Sequence, residues 1–104
     1  MASYAWVLGV RPGYEEEYKK RHDEIWPELV ADIQKAGFKN YSLFRRGTQI
    51  IAYVECHPDL ATASAGLADS EANVRWAEWF KDTIVNLTGG DGQLMRATEV
   101  WHLD

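Results

Sequence analysis

The stretch KRHDEIWPEL, residues 20–29, places a histidine, an acidic pair, a tryptophan and a proline close together. His22 is its chemical centre. An imidazole titrates near 6.5, so it can give or take a proton close to neutrality, which few side chains do. Tyr14, Tyr18 and His22 recur at i, i+4 and i+8 and would share one side of a helix. Tyr18 and His22 could then point into one cavity. A phenol, titrating near 10, stays protonated and donates a hydrogen bond to a substrate oxygen. A lone helical histidine more often caps, packs or faces water than reacts, so position alone leaves His22 between packing and proton transfer.

Other groups offer less. His22, His57 and His102 fall on three different elements, without an H-E-x-x-H pattern or a cysteine pair, so a metal site is not expected. Cys56 is the single cysteine. It has no disulfide partner, and its neighbour His57 would point to the opposite face of a strand, which argues against a paired nucleophile. GGDG at 89–92 fits neither a Walker A nor a dinucleotide fingerprint and reads as turn chemistry.

Trp76 and Trp79 in RWAEWF lie three apart and share a helix face. Trp79 reads as core, and Trp76 and Trp26 as walls of a pocket. Flat rings beside polar donors suit the C–H face and hydroxyl edge of a sugar. Tyr41, in KNYSLF, would add a hydroxyl from the sheet.

The elements that must position these groups follow from punctuation and periodicity. SYAWVLGV reads as a strand over 3–10, closed by Pro12 and Gly13. A helix follows over 14–36, acidic in its first turn and capped by Gly37. Pro27 removes a backbone donor and clashes with the preceding turn, so a kink or short break is expected near Ile25–Trp26. Strands at 39–46 and 49–57 meet at a tight turn through Gly47–Thr48. A short helix follows Pro58, and a longer one runs through SEANVRWAEWFKDTIV with Ser70 and Asn73 near its start. NLTGGDGQ is a glycine-rich loop, and 94–103 is the last strand.

The order β-α-β-β-α-β is the ferredoxin-like arrangement, an α+β fold with one antiparallel sheet and helices on one face, here a single domain over 1–104. Both alternating sets of strand residues are partly apolar: Ala5, Val7, Leu43, Ile50, Ala52 and Val54 against Tyr4, Trp6, Leu8, Phe44, Ile51 and Tyr53. A sheet covered on one side alone should show a polar second face. The sticky second face therefore points to a homodimer.

At 104 residues and 46% hydrophobic, the chain is large enough for one two-layer core. Five tryptophans, five tyrosines and three phenylalanines are many for this length and must fill a core or build a binding platform. A net charge of −5 with interleaved signs argues against nucleic acid as a partner. The only adjacent arginine pair, in FRRGTQ, reads as an exposed turn. No segment resembles a signal peptide or a membrane span, and with a lone cysteine the expected location is the cytoplasm.

RHDEIWPEL, NYSLF, the RW near the end of the chain and the closing EVWHLD resemble the L-rhamnose mutarotase family, over about Trp6 to Asp104. The histidine–tryptophan–proline–glutamate cluster is specific for that family, and the C-terminal strand supports it independently. The resemblance implies a cytoplasmic homodimer of the dimeric α+β barrel type that interconverts pyranose anomers of a small neutral sugar without a cofactor. It implies His22 as proton donor, with Tyr18, Tyr41 and Trp76 contacting the sugar. In known members a second tryptophan follows the counterpart of Trp76; this chain has Ala77 there and its next tryptophan at Trp79. The alternatives are a mutarotase for another deoxy-sugar such as L-fucose, a small oxygenase on the same fold, and a non-catalytic dimeric domain.

Overall fold

The computed structural model describes residues 2–85 and 94–104; the glycine-rich segment with GGDG lies outside the described residues. Strand β1 (Ala2–Val10) runs down the middle of an antiparallel sheet, flanked on one edge by β3 (Gln49–Cys56) and beyond it β2 (Phe38–Arg46). The other edge of β1 pairs with two short strands in succession, β4 (Ile84–Val85) against Gly9–Val10 and β5 (Met95–Ala97) against Ala5–Val7. Together β4 and β5 fill the place of the fourth strand of a ferredoxin-like sheet.

Two helical units connect the strands. The first is broken where proline dictates: α1 spans Glu15–Asp23 and α2 spans Pro27–Ala36. Pro27 sits at the first position of α2, where its missing N–H costs nothing, and Trp26 before it is extended, at φ −66° and ψ 131°. The second unit comprises α3 (Leu60–Ala68) and α4 (Glu71–Phe80). Asp59 caps α3 by accepting from the Thr62 N–H at 2.8 Å. Ser70 caps α4 by accepting from the Asn73 N–H at 3.0 Å, and donates to Asp32 at 2.6 Å, which ties α4 to α2.

The core lies between the sheet and these helices. Trp6, Leu8 and Val10 of β1 and Ile50, Ala52, Val54 and Cys56 of β3 are buried against Leu29, Leu60, Ala63 and Phe80. Fully burying one large aliphatic or aromatic side chain stabilises by about 1.5–3 kcal/mol, so this layer outweighs any surface pair. Helix α1 contributes little to it except Tyr18. Its anchor is Arg21, whose guanidinium donates to Asp82 at 2.9 Å, to the Trp79 carbonyl at 3.0 Å and to Glu17 at 2.9 Å. The Arg21 side chain is only 12% exposed. The exposed Lys19–Asp23 pair on the same helix adds about 0.3–0.5 kcal/mol at most.

Four sequence expectations change. The alternating sets were crossed at β1. Trp6 lies opposite Ala52 and Leu8 opposite Ile50, so Tyr4, Trp6 and Leu8 share the helix-covered face with Ile50, Ala52 and Val54, while Ala5 and Val7 join Ile51 and Tyr53 outside. Parity within a strand is local, but the phase between strands is set by cross-strand register. The last helix stops at Phe80; a 3₁₀ turn at Lys81–Thr83 leads into β4, where β-branched Ile84 and Val85 pair with β1. The second unit's two helices are therefore nearly equal in length. The final strand is three residues long, and Thr98–Asp104 form no regular element. Ala97 already lies opposite Ala5, so most of the remaining chain would run past the start of β1.

Gly37 closes α2 at φ +111°, its N–H donating to the Gln34 carbonyl, and its carbonyl accepts from the His57 N–H at 2.9 Å. A Cβ there would fall on the His57 carbonyl oxygen, whereas one on Gly13 (φ +92°) would meet nothing within 4 Å. Left-handed backbone costs a non-glycine residue about 1–2 kcal/mol. Gly13→Ala should lose about that amount in urea unfolding. Gly37→Ala should lose clearly more, because backbone oxygen must also move.

Candidate functional site

A cavity of about 780 Å³ opens between the helical layer and β2. His22 reaches it from the last turn of α1, Leu29, Ile33 and Gln34 from α2, Tyr41 from β2, and Asn73 and Trp76 from α4. The broken helix makes this possible. Because α1 ends at Asp23, His22 is not carried along the apolar stripe of α2 and stands at the junction of the two helices.

An aromatic box holds the imidazole. Its ring centre is 4.5 Å from Tyr18, 4.9 Å from Phe80 and 5.6 Å from Trp76. Nδ1 lies 3.0 Å from the Tyr18 carbonyl oxygen. A carbonyl only accepts, so Nδ1 carries the hydrogen, and in the neutral ring Nε2 keeps the lone pair. Burial lowers the His22 pKa from its ordinary value, against the opposing pull of the Tyr18 carbonyl and the Asp23 charge. The imidazole is therefore chiefly neutral at pH 7.

The expected site residues divide into wall and backing. His22, Tyr41 and Trp76 line the cavity. Tyr18, 7% exposed, lies beneath His22 and against Phe80 at 5.3 Å, below the wall instead of on it. Trp26 stands one layer behind Trp76, perpendicular to it at 5.3 Å. Trp79, expected in the core, is 43% exposed, stacked on Trp26 at 5.6 Å with the Arg21 guanidinium 4.7 Å over its ring. The stripe of α4 that faces inward runs Ala72, Trp76, Phe80 at i, i+4, i+8, and it is Phe80 that stacks on Trp76 at 5.0 Å.

Burial raises the pKa of Tyr18, and the neighbouring Tyr41 adds to it. Tyr41 is pushed up to about 12, chiefly by burial. The residue is still 42% exposed, so solvent softens that shift. Both phenols stay protonated near neutrality and so have a hydrogen to donate. Lys39 is the one permanently charged side chain among the described lining residues, so the cavity suits a neutral polar molecule better than an ion.

Three uncharged polar lining residues escaped the sequence reading: Gln34, Asn73 and Asn40. The first two carried a signal, since Gln34 follows Val30 by four residues and Asn73 precedes Trp76 by three, each pair on one helix face. Glu99 lines a separate hollow of about 630 Å³ at the β1–β5 edge, where Arg96 covers the Tyr4 ring at 5.0 Å. Cys56 is buried, and burial pushes its thiol up, away from a nucleophile's range. Among the described residues no group of three or more histidine, cysteine, aspartate or glutamate side chains could hold a metal ion. No helix among them is long and apolar enough to cross a membrane.

Comparison with known proteins follows the same outline. The L-rhamnose mutarotase family model matches residues 3–103. The chain is 31% identical over 106 residues to an L-rhamnose mutarotase of Oceanobacillus iheyensis, covering 100% of both. It is 33% identical over 105 residues to that of Tolumonas auensis, covering 99% of each. In three dimensions it is similar to the crystal structure of an L-rhamnose mutarotase from Formosa agariphila, with a TM-score of 0.80 and 23% identity over the full length of both chains. A tetracenomycin F2 cyclase from Streptomyces glaucescens shares the fold more distantly, with a TM-score of 0.55 and 17% identity over 100% of this chain and 98% of that one.

Proposed function

The chain belongs to the L-rhamnose mutarotase family, and we propose that it is an isomerase interconverting the α and β anomers of L-rhamnopyranose. The observation that carries this is the imidazole of His22, its tautomer set by a backbone carbonyl, on the wall of an almost uncharged cavity rimmed by Tyr41 and Trp76. Trp76 offers a flat apolar surface to the sugar's C–H face, and Tyr41 donates to a hydroxyl. The aliphatic flank of Leu29, Ile33 and Leu67 matches the C6 methyl of a 6-deoxy sugar.

Mutarotation needs one proton moved between two oxygens bonded to the same carbon. His22 protonates the ring oxygen, and its lowered pKa supports a proton taken from the substrate itself. The resting imidazole is neutral, so Nε2 first takes the proton of the anomeric hydroxyl and then delivers it to the ring oxygen. As the anomeric C=O forms, the bond from C1 to the ring oxygen breaks and its electron pair stays on that oxygen. Rotation about C1–C2 and reclosure on the other face of the aldehyde give the second anomer, and the proton returns by the same route. No net proton, electron or group is gained or lost. Tyr18 holds the Nδ1–H through its carbonyl, and Trp26 backs Trp76.

A positioned acid–base group accelerates such a step by about 10²–10⁴-fold. His22→Asn should therefore abolish most of the catalysed exchange between the anomeric protons of L-rhamnose, measured by NMR magnetisation transfer, while the circular dichroism spectrum is kept. A variant with full activity would remove His22 from the reaction. For a base that starts neutral, the catalysed rate rises with pH through a midpoint below 6.5 and then levels. A rate that instead falls over that interval would mean that His22 starts as the acid. L-Fucose and D-glucose serve as comparison sugars; exchange enhanced only for L-fucose would keep the mechanism and move the substrate.

We further propose a cytoplasmic homodimer as the working form, the dimer being supported by the outer sheet face. Ala5, Val7, Ile51, Tyr53 and Met95 lie there half-buried, with Phe44 59% exposed, and Val100, Trp101 and Leu103 are exposed nearby in sequence to β5. Sedimentation should give twice the mass of one chain. A Phe44→Glu, Ile51→Glu variant should sediment as a folded monomer.

A further inference from the structure

Phe38 lies opposite buried Cys56, and Leu43 opposite buried Ala52, so both side chains face the helices. From 38 to 43 is an odd step, and in a regular strand an odd step changes face. The register slips by one residue between Lys39 and Ser42. At that slip Asn40 takes left-handed backbone, with φ +50°, a conformation asparagine tolerates better than most residues. Its side-chain amide donates to the Glu55 carboxylate at 2.7 Å, and the Tyr53 hydroxyl donates to the same oxygen at 3.2 Å. Glu55 pairs across the sheet with Ser3 and Lys39, outside the core. Tyr41, the next residue, turns the other way, its ring 6.0 Å from both Phe38 and Trp6 and on the cavity wall with His22.

We infer that Asn40 is a positioning residue of the site: the bulge it forms, pinned through its side-chain amide to Glu55, turns Tyr41 onto the cavity face. Without the extra residue, Tyr41 would alternate with Phe38 and stand on the outer face. The role of Tyr41 as a sugar contact rests on the function proposed above; its orientation by the Asn40–Glu55 pair does not.

The pair can be tested by exchanging its donor and acceptor. Asn40→Asp keeps a residue that accepts left-handed backbone but sets carboxylate against carboxylate. Glu55→Gln in the same chain restores a hydrogen bond with its direction reversed. NMR signals of the Tyr41 ring, shifted by the ring currents of Trp6 and Phe38, should move in Asn40→Asp and return in Asn40→Asp, Glu55→Gln. Glu55→Gln alone keeps an acceptor for the Asn40 amide and should leave them in place.

In anomer exchange, Asn40→Asp should raise KM for L-rhamnose about 3- to 10-fold, the loss of one well-placed hydrogen bond, with kcat changed less than about twofold. The double variant should return KM to near the starting value. Unmoved ring signals in a folded Asn40→Asp protein would overturn the inference, and so would signals and KM that the second substitution fails to restore. If ring signals follow the expected pattern while the unaltered protein exchanges no sugar, the positioning stands and the mutarotase reading falls.

Discussion

A proline that cannot continue a helix organises this molecule. Pro27 lacks the N–H that would bond back to Asp23, so the helix begun at Glu15 ends at Asp23 and a second starts at Pro27. The consequence is a division of labour. Helix α2 covers the sheet with Leu29 and Ile33, while α1, polar almost throughout, needs only Tyr18 and the Arg21 hydrogen bonds to stay docked. An unbroken helix would have had to serve both ends with one stripe. His22 would then have been buried under the sheet or turned to water.

The chemistry of the site depends on what surrounds the imidazole more than on any charged partner. Packing against Tyr18, Phe80 and Trp76 disfavours the imidazolium, and the Tyr18 carbonyl decides which nitrogen carries the hydrogen. A carboxylate beside His22 would reverse the first effect by stabilising the cation. Its absence from the described lining is consistent with a group that must take a proton and hand it on at once. A strong base would hold the proton and a strong acid would never take it.

Local punctuation was legible in the sequence. Pro27 announced the break, Gly37 the cap and Gly47–Thr48 the hairpin, because each acts through the backbone of its own residue. What depends on pairing was less so. The strand faces were crossed at β1, since alternation along Trp6 and Leu8 says nothing about whether Trp6 meets Ala52 or Ile51. The run DTIV reads as helix by continuity, yet β1 had an open edge for it. Of the cavity wall, His22, Trp76 and Tyr41 were each singled out from the residues around them, and the family likeness points to the same three. That Tyr18 backs the wall, and that Trp79 rather than Phe80 faces outward, follows from three-dimensional packing between helices that sequence spacing cannot rank.

The sheet carries two apolar faces, and this puts a demand on β2 that the other strands escape. Its inner side must supply Phe38 and Leu43 to the core and Tyr41 to the cavity, while its outer side presents Phe44. Strict alternation cannot satisfy all four at positions 38, 41, 43 and 44. One inserted residue can, and the cheapest place for it is beside the cavity, where the lost ladder pairing is replaced by a side-chain bond to Glu55. A bulge at the other end of β2 would have left Tyr41 outside with Lys39 and turned Ser42 inward. Its position is therefore tied to where the cavity lies, and the irregularity in the strand follows from the sheet having to serve a core, a site and an outer apolar surface at once.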